Sequence, residues 1–78
     1  MDLSDAIKLR VEYYLKSQNL KRSALCEKAG IAPSTFSSFM NIKYALPKLD
    51  TLLHICEGLG ITLGEFFSDP IFDEADRD

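Results

Sequence analysis

The sequence lacks the features that mark membrane-embedded and secreted proteins. No apolar run approaches the roughly eighteen residues that a membrane-spanning helix needs, and no charged start is followed by an apolar stretch and a small-residue cleavage site. We therefore expect a soluble, cytoplasmic protein that makes no contact with a membrane.

Cysteine and histidine are scarce. The chain has two cysteines, Cys26 and Cys56, and one histidine, His54. The cysteines lie in apolar helical patterns and form neither a CxxC pair nor a cluster with His54, so they are predicted to be buried, reduced thiols. Only Asp50 and Glu57 stand at helical spacing from His54, which is predicted to be a surface or boundary residue. The sequence predicts no metal site and no cofactor.

Motifs that carry catalysis are absent as well. There is no Ser-His-Asp arrangement, Gly-rich phosphate loop or paired set of carboxylates, so no catalytic residue is predicted and enzyme activity is not expected. Strand-type alternation, low-complexity tracts and internal repeats are absent too. The remaining pattern is helical throughout, which predicts an all-α fold.

The chain does contain enough apolar material for one small domain. At 78 residues, of which 46% are hydrophobic, a single core is feasible but marginal by size. We place this domain at residues 1–68 and an acidic C-terminal tail at residues 69–78.

The net charge of −3 conceals an uneven distribution. Residues 16–49 carry six lysine or arginine side chains against Glu27 alone, whereas residues 69–78 carry five acidic side chains and Arg77. This asymmetry is typical of a DNA-facing surface with an acidic appendage, although a solvated face with a frayed terminus produces the same distribution.

Local signals divide the chain into five helices. The first predicted helix ends at about residue 17. The next three cover about residues 22–29, 33–40 and 49–59, and a short fifth helix follows them. Ser4 or Asp5 is expected to cap the first helix. Gly30 and Gly60 stand just past the second and fourth helices, where a left-handed residue is needed. Pro33 fits the first turn of the third helix.

Spacing indicates how the last two helices begin and pack. Thr62 and Glu65 have the spacing of a capping box, which opens the fifth helix, and Pro70 stops it. The predicted apolar side of the fourth helix consists of Leu52, Leu53, Ile55 and Cys56.

The third helix is unusual because its outer side is small and polar. Its exposed positions hold Ser34, Thr35, Ser37 and Ser38, and no charged residue stands between Ile31 and Ile42. Hydroxyl side chains let a helix approach the floor of a major groove closely and bond to phosphates or base edges. The alternative is a Ser/Thr-rich helix that lies in water without a ligand.

From Leu20 to Phe67 the chain resembles the Cro/C1-type helix-turn-helix family of phage repressors and bacterial regulators. The matching segments are Leu25-Cys26, Ala29-Gly30-Ile31, Ser34-Thr35-Phe36-Ser37, Pro47-Lys48-Leu49-Asp50-Thr51-Leu52, and Leu59-Gly60-Ile61 leading into Glu65-Phe66-Phe67. The resemblance implies a five-helix, lambda-repressor-like DNA-binding domain. Its second and third helices would form the DNA-reading unit, with the third helix in the major groove.

The resemblance also implies roles for individual residues on double-stranded DNA. The positions that would face base edges are Pro33, Ser34, Ser37 and Ser38. The positions that would face phosphates are Lys21, Arg22, Thr35, Asn41 and Lys43. The implied function is that of a sequence-specific, repressor-like transcriptional regulator. The alternative is a protein-interaction module on the same scaffold, antitoxin-like or anti-repressor, whose uncharged third helix would contact a protein.

Some residues depart from the family pattern. Pro33 replaces a long amide side chain, so few direct hydrogen bonds to base edges are expected. Lys21 and Lys48 replace helix caps, and each forgoes roughly 1 kcal/mol of capping while adding positive charge. Leu15 and Met40 stand where many members have a buried Arg–Glu pair, which predicts that these two apolar side chains contact each other in the core.

The C-terminal segment is rich in large apolar side chains. Phe66, Phe67, Ile71 and Phe72 lie within seven positions of the chain. They either form the surface of a homodimer, as suits a protein that binds repeated DNA half-sites, or simply cover the small core.

Overall fold

The computed structural model describes residues 1–75, so Asp76, Arg77 and Asp78 at the end of the expected acidic tail lie outside the described part. Within residues 1–75 the secondary structure consists of five α-helices and one short 3-10 helix. The helices are α1 (Leu3–Ser17), α2 (Arg22–Ala29), α3 (Pro33–Asn41), α4 (Leu49–Leu59) and α5 (Leu63–Phe66), followed by the 3-10 helix at Pro70–Phe72. The predicted all-α, five-helix fold is confirmed.

Two glycines end helices as the sequence predicts. Gly30 and Gly60 have φ of +68° and +73° and follow α2 and α4 directly. The backbone then turns back on each helix, so that Ile31 N–H donates to Cys26 O at 3.1 Å and Ile61 N–H donates to Cys56 O at 3.0 Å. This closure satisfies carbonyls that the helix end would otherwise leave unpaired.

The beginning of α1 differs from the prediction. Asp2 is the cap, since its extended backbone precedes the helix and its Oδ1 accepts a hydrogen bond from Asp5 N–H at 2.9 Å. Ser4 and Asp5 already lie inside the helix, so the prediction that one of them caps it was wrong. Ser4 is instead buried and donates its hydroxyl to Ala45 O at 2.5 Å. Its polarity therefore serves a contact between α1 and the segment before α4.

The capping box of α5 is confirmed. Glu65 N–H donates to Thr62 Oγ1 at 3.0 Å, and Thr62 N–H donates to Glu65 Oε1 at 2.9 Å. The helix ends at Phe66, before Pro70, which begins the 3-10 helix instead. Asp69 caps that turn by accepting from Ile71 N–H at 2.9 Å.

All five helices contribute to one hydrophobic core. Its buried members are Ile7, Val11, Leu15, Leu25, Cys26, Phe36, Phe39, Met40, Leu52, Ile55, Cys56, Leu59 and Phe66. Leu15 and Met40 are 5% and 9% exposed and belong to the same cluster, so both lie in the core as predicted, and their direct contact stays a prediction. Both cysteines are buried and free, as expected. Leu53 is 42% exposed, so its assignment to the apolar side of α4 was wrong.

The backbones of α2 and α4 approach each other closely at Gly58. A Cβ placed on Gly58 would lie 3.1 Å from Ala29 N, Ala29 Cβ and Leu25 Cδ1. Such distances are tighter than ordinary van der Waals contact, so a side chain at this position would require Ala29 or Leu25 to shift by a few tenths of an ångström. Gly58 thereby determines how near α2 lies to α4, and with it the position of the segment that leads into α3.

Arg10 joins α1 to the C-terminal part of the domain. Its Nε donates to Phe66 O at 2.7 Å and its Nη2 to Glu65 O at 2.8 Å, while Nη1 lies 3.5 Å from Asp69 Oδ2. Tyr14 receives a further hydrogen bond at 3.0 Å, and its ring lies under the guanidinium. The arginine thus caps the last turn of α5 and holds the following segment against α1.

The four apolar residues of the C-terminal segment are not equally accessible. Phe66 is fully buried, so including it in a homodimer surface was wrong, because its ring is already packed in the core. Phe72 is partly buried and packs against the core, whereas Phe67 is 40% exposed. Among residues 1–75, none of the helices has both the length and the apolar composition to cross a membrane.

Candidate nucleic-acid interface

The link between α2 and α3 is only three residues long. Gly30 turns the chain, Ile31 packs partly against the core, and Ala32 precedes α3 with an extended backbone. Pro33 then occupies the first turn of α3, where its fixed φ suits the helix and its missing N–H leaves nothing unpaired. The short link keeps α2 and α3 side by side, in contact with each other.

The two sides of α3 differ sharply. Phe36, Phe39 and Met40 are buried and fasten the helix to the core. Every residue predicted to face a base edge or phosphate on this helix is exposed, namely Pro33, Ser34, Thr35, Ser37, Ser38 and Asn41. The exposed side is therefore uncharged and lined with hydroxyl groups, one amide and the Pro33 ring.

Lysines occupy the cap positions of α2 and α4. Lys21 precedes α2 and Lys48 precedes α4; both are exposed, and neither side chain forms a capping hydrogen bond. At α2 the first turn holds no acidic residue and no side chain caps it, so the partial positive charge of the helix end and the charge of Lys21 favour an anion there. At α4 the Asp50 carboxylate accepts a hydrogen bond from Thr51 N–H at 2.8 Å and places a negative charge in the first turn, which disfavours an anion.

Arg22 is more constrained than the sequence suggests. Its Nη2 forms an ion pair with Glu12 Oε1 of α1, and its guanidinium lies 5.9 Å from the ring centroid of Phe36. The side chain is still 48% exposed. Arg22 therefore connects three helices and offers only part of its hydrogen-bonding capacity to a ligand.

The predicted site residues fall into separate groups in space. Thr35 and Ser38 line a cleft of about 500 Å³ together with Lys48 and Thr51. Lys21 and Arg22 line a different groove, next to the end of α1. Lys43 lies in the turn that follows α3 and is exposed.

Two residues of α1 hold the turn after α3, and the sequence alone did not single them out for this. Lys8 Nζ donates to Ile42 O at 2.8 Å, and Ser4 Oγ donates to Ala45 O. The turn itself closes by Ala45 N–H donating to Ile42 O at 3.2 Å. Their four-residue spacing on α1 puts Lys8 and Ser4 on one side of the helix, but no sequence signal names a backbone carbonyl as their partner.

A comparison with protein families decides what this arrangement is. Residues 10–70 match the family model described as the Cro/C1-type HTH DNA-binding domain. The chain belongs to this family. No curated protein and no solved structure matches the chain.

As a Cro/C1-type domain, the chain has α2 and α3 as its helix-turn-helix and is a DNA-binding protein. The resemblance seen in the sequence is thereby confirmed. The matched range also extends beyond Leu20–Phe67 on both sides and includes Arg10 and Asp69, which contact each other. The second half of α1 and the start of the C-terminal segment therefore lie within the range that matches the family.

Other reactive groups lie away from the exposed side of α3. Burial raises the pKa of the Cys26 thiol, and burial together with the nearby charge of Glu57 raises the pKa of Cys56 to about 11. Both thiols therefore stay protonated at neutral pH. His54 is exposed, as predicted. Residues 1–75 contain no group of three or more His, Cys, Asp or Glu side chains that could hold a metal ion.

Proposed function

We propose that this Cro/C1-type domain is a sequence-specific regulator of transcription that acts as a repressor, with α3 lying in the major groove of double-stranded DNA. The observation that carries the proposal is the exposed, uncharged side of α3, preceded by Lys21 and Arg22 and followed by Lys43 and Lys48 in the chain. A neutral helix between cations suits a surface on which base edges are central and phosphates lie at the borders.

In this proposal the base-facing residues are Pro33, Ser34, Ser37 and Ser38. The three hydroxyl groups both donate and accept, so they bond to several base edges without the bidentate selectivity of an amide or guanidinium. The Pro33 ring offers apolar contact only. Specificity then depends substantially on bridging water and on the shape of the DNA.

The phosphate-facing residues in the proposal are Lys21, Arg22, Thr35, Asn41 and Lys43. All five are exposed. Each lysine that neutralises a phosphate releases counterions, so binding should weaken steeply as salt rises. Arg22 contributes less than a free arginine because it is already paired with Glu12.

The proposed regulator binds as a homodimer through the exposed part of the C-terminal segment. Phe67 is 40% exposed, and Ile71 lines a small groove with Leu9 and Tyr13 of α1, which are themselves 49% and 57% exposed. An apolar surface shared by α1 and the C-terminal segment suits a two-fold contact between copies. The test is the molecular mass in solution of Phe67→Lys against the wild type.

The test of the function is retention of mixed genomic DNA fragments by the purified protein, followed by affinity measurements on the retained fragment at several salt concentrations. Enrichment of a discrete sequence and a steep fall with salt are expected. Lys21→Gln should reduce the slope of log affinity against log salt by about 1 on every fragment. Ser34→Ala should leave the slope unchanged and alter the sequence preference.

Lys28→Gln is the matched control, because Lys28 is exposed near the C-terminal end of α2 and lines a groove with Gln18 and Glu57, away from the residues proposed to touch DNA. It should leave both the slope and the preference unchanged. Failure of the folded wild type to retain any DNA at low salt would refute the proposal. The exposed apolar side chains of Ile42, Leu46 and Leu49 after α3 favour a protein-binding module in that event.

A further inference from the structure

The turn that follows α3 has an unusual backbone conformation at Tyr44. Its four residues run from Ile42 to Ala45, and Tyr44 has φ of +65°. A positive φ at the third residue of such a turn is the pattern of a type II turn, in which glycine or asparagine normally stands. A tyrosine in this conformation is uncommon and strained.

No packing in the core compensates for the strain at Tyr44. Its side chain is 65% exposed, and its only described partner is Lys43, whose Nζ lies 5.1 Å from the ring centroid. The turn cannot relax easily, because Lys8 and Ser4 hold the carbonyls at its two ends. The fold therefore keeps a large aromatic side chain in water in a conformation that glycine would adopt without strain.

The other two tyrosines contact side chains within the protein. Tyr14 is half-buried, and its hydroxyl accepts a hydrogen bond from Arg10 at 3.0 Å. Tyr13 is exposed, but its ring lies 5.2 Å from the same guanidinium and against Tyr14. Within residues 1–75, neither the Tyr13 nor the Tyr44 hydroxyl has a hydrogen-bond partner, but the Tyr13 ring contacts another ring and a guanidinium, whereas the Tyr44 ring contacts only the Lys43 ammonium.

We propose that Tyr44 is a DNA-contacting residue whose hydroxyl donates a hydrogen bond to a backbone phosphate beside the one that Lys43 neutralises. The inference rests on the proposed function and adds to it a neutral phosphate contact. A phenol hydroxyl is one of the groups that proteins use on phosphates. The Lys43 ammonium lies 5.1 Å from the ring centroid and both side chains are exposed, so one turn presents a hydroxyl donor and a positive charge to the solvent.

The experiment measures affinity for a short mixed-sequence DNA duplex by fluorescence anisotropy, with unfolding midpoints in urea for every variant. Tyr44→Phe removes only the hydroxyl and should weaken binding by about tenfold, equivalent to about 1.4 kcal/mol, since a hydrogen bond to a charged group is lost. This loss should be the same at every salt concentration, because no counterion is involved. Lys43→Gln should instead reduce the salt slope by about 1.

Two further variants separate DNA contact from stability. Tyr44→Gly should bind DNA at least as weakly as Tyr44→Phe while unfolding at the same or a higher urea concentration than the wild type, because glycine relieves the strain. Ser17→Ala is the control, since it removes an exposed hydroxyl from α1 outside the residues proposed to touch DNA or a second copy of the chain, and it should bind as the wild type does.

The results distinguish this inference from the proposed function. If the wild type binds the duplex and Tyr44→Phe binds within twofold of it, the inference is overturned and the proposed function stands. It is also overturned if Ser17→Ala weakens binding equally, or if Tyr44→Phe lowers the unfolding midpoint, which would mean that the hydroxyl has a partner inside the protein. If the folded wild type does not bind at low salt, both proposals fail.

Discussion

Replacement of Arg10 by methionine should lower the free energy of unfolding more than replacement of a more exposed arginine would. Methionine keeps an apolar stem of similar length but removes the hydrogen bonds to Phe66 O and Glu65 O and the ion pair with Asp69. Glu65 O keeps its hydrogen bonds from Ser68, whereas Phe66 O has no other described partner. The variant therefore leaves a carbonyl beside the core without a donor.

The magnitude follows from these contacts. Each of the two short hydrogen bonds from the guanidinium to a carbonyl contributes at least about 1.5 kcal/mol, and the longer pair with the 42%-exposed Asp69 side chain adds less than about 1 kcal/mol. We expect a total loss of about 3 kcal/mol. For a domain of this size that corresponds to a fall in Tm of roughly 12–24 °C.

The assay is urea unfolding followed by far-ultraviolet circular dichroism, with Arg22→Met as the matched control. Arg22 also forms an ion pair with α1, but its side chain is 48% exposed, so its replacement should cost less than about 1 kcal/mol. If Arg10→Met loses no more stability than Arg22→Met, the reasoning is refuted, and the C-terminal segment is not held to α1 by Arg10.

Two other perturbations follow from close packing and from burial. Gly58→Ala should destabilise the domain by about 1–3 kcal/mol, because the added Cβ would meet Ala29 at 3.1 Å. Gly60→Ala is the control: its added Cβ meets no atom within 4 Å, but its positive φ should make it less stable than the wild type by about 1 kcal/mol. Urea unfolding compares the two variants, and equal losses of unfolding free energy would contradict the tight crossing of α2 and α4. The raised pKa of Cys56 makes stability fall as pH rises from about 9 towards 11, since the unfolded thiol releases its proton first. Unfolding free energies at pH 8 and pH 10 should show a smaller fall for Cys56→Ala than for the wild type, and an unchanged fall would show that this thiol does not contribute.

The helix boundaries could be predicted where the signal is local. Gly30, Gly60 and Pro33 each determine the backbone conformation at their own position, and the capping box needs only residues three apart. The cap of α1 could not be predicted in this way, because Asp2, Ser4 and Asp5 can all cap a helix. Asp2 is the cap because Ser4 is buried and bonded to Ala45 O, which places it inside the helix. Leu53 was misplaced because it stands at the edge of the apolar side of α4.

The candidate interface could be predicted in its residue types but not in its internal bonds. The exposed hydroxyl groups of α3 follow from the burial of Phe36 and Phe39 on the opposite side, which periodicity reveals. The pairing of Arg22 with Glu12 joins two different helices, and no local pattern predicts it. The left-handed Tyr44 could not be foreseen either, because tyrosine has no preference for that conformation.

The contacts of Arg10 also determine when the domain can be completed during its synthesis. The acceptors on Phe66 and Asp69 lie 56 and 59 residues further along the chain. The hydrogen bonds that hold the C-terminal segment against α1 can therefore form only after nearly the whole domain has been synthesised. A nascent chain stalled before Phe66 would expose the side of α1 that carries Arg10, and would be a target for proteolysis that the finished domain is not.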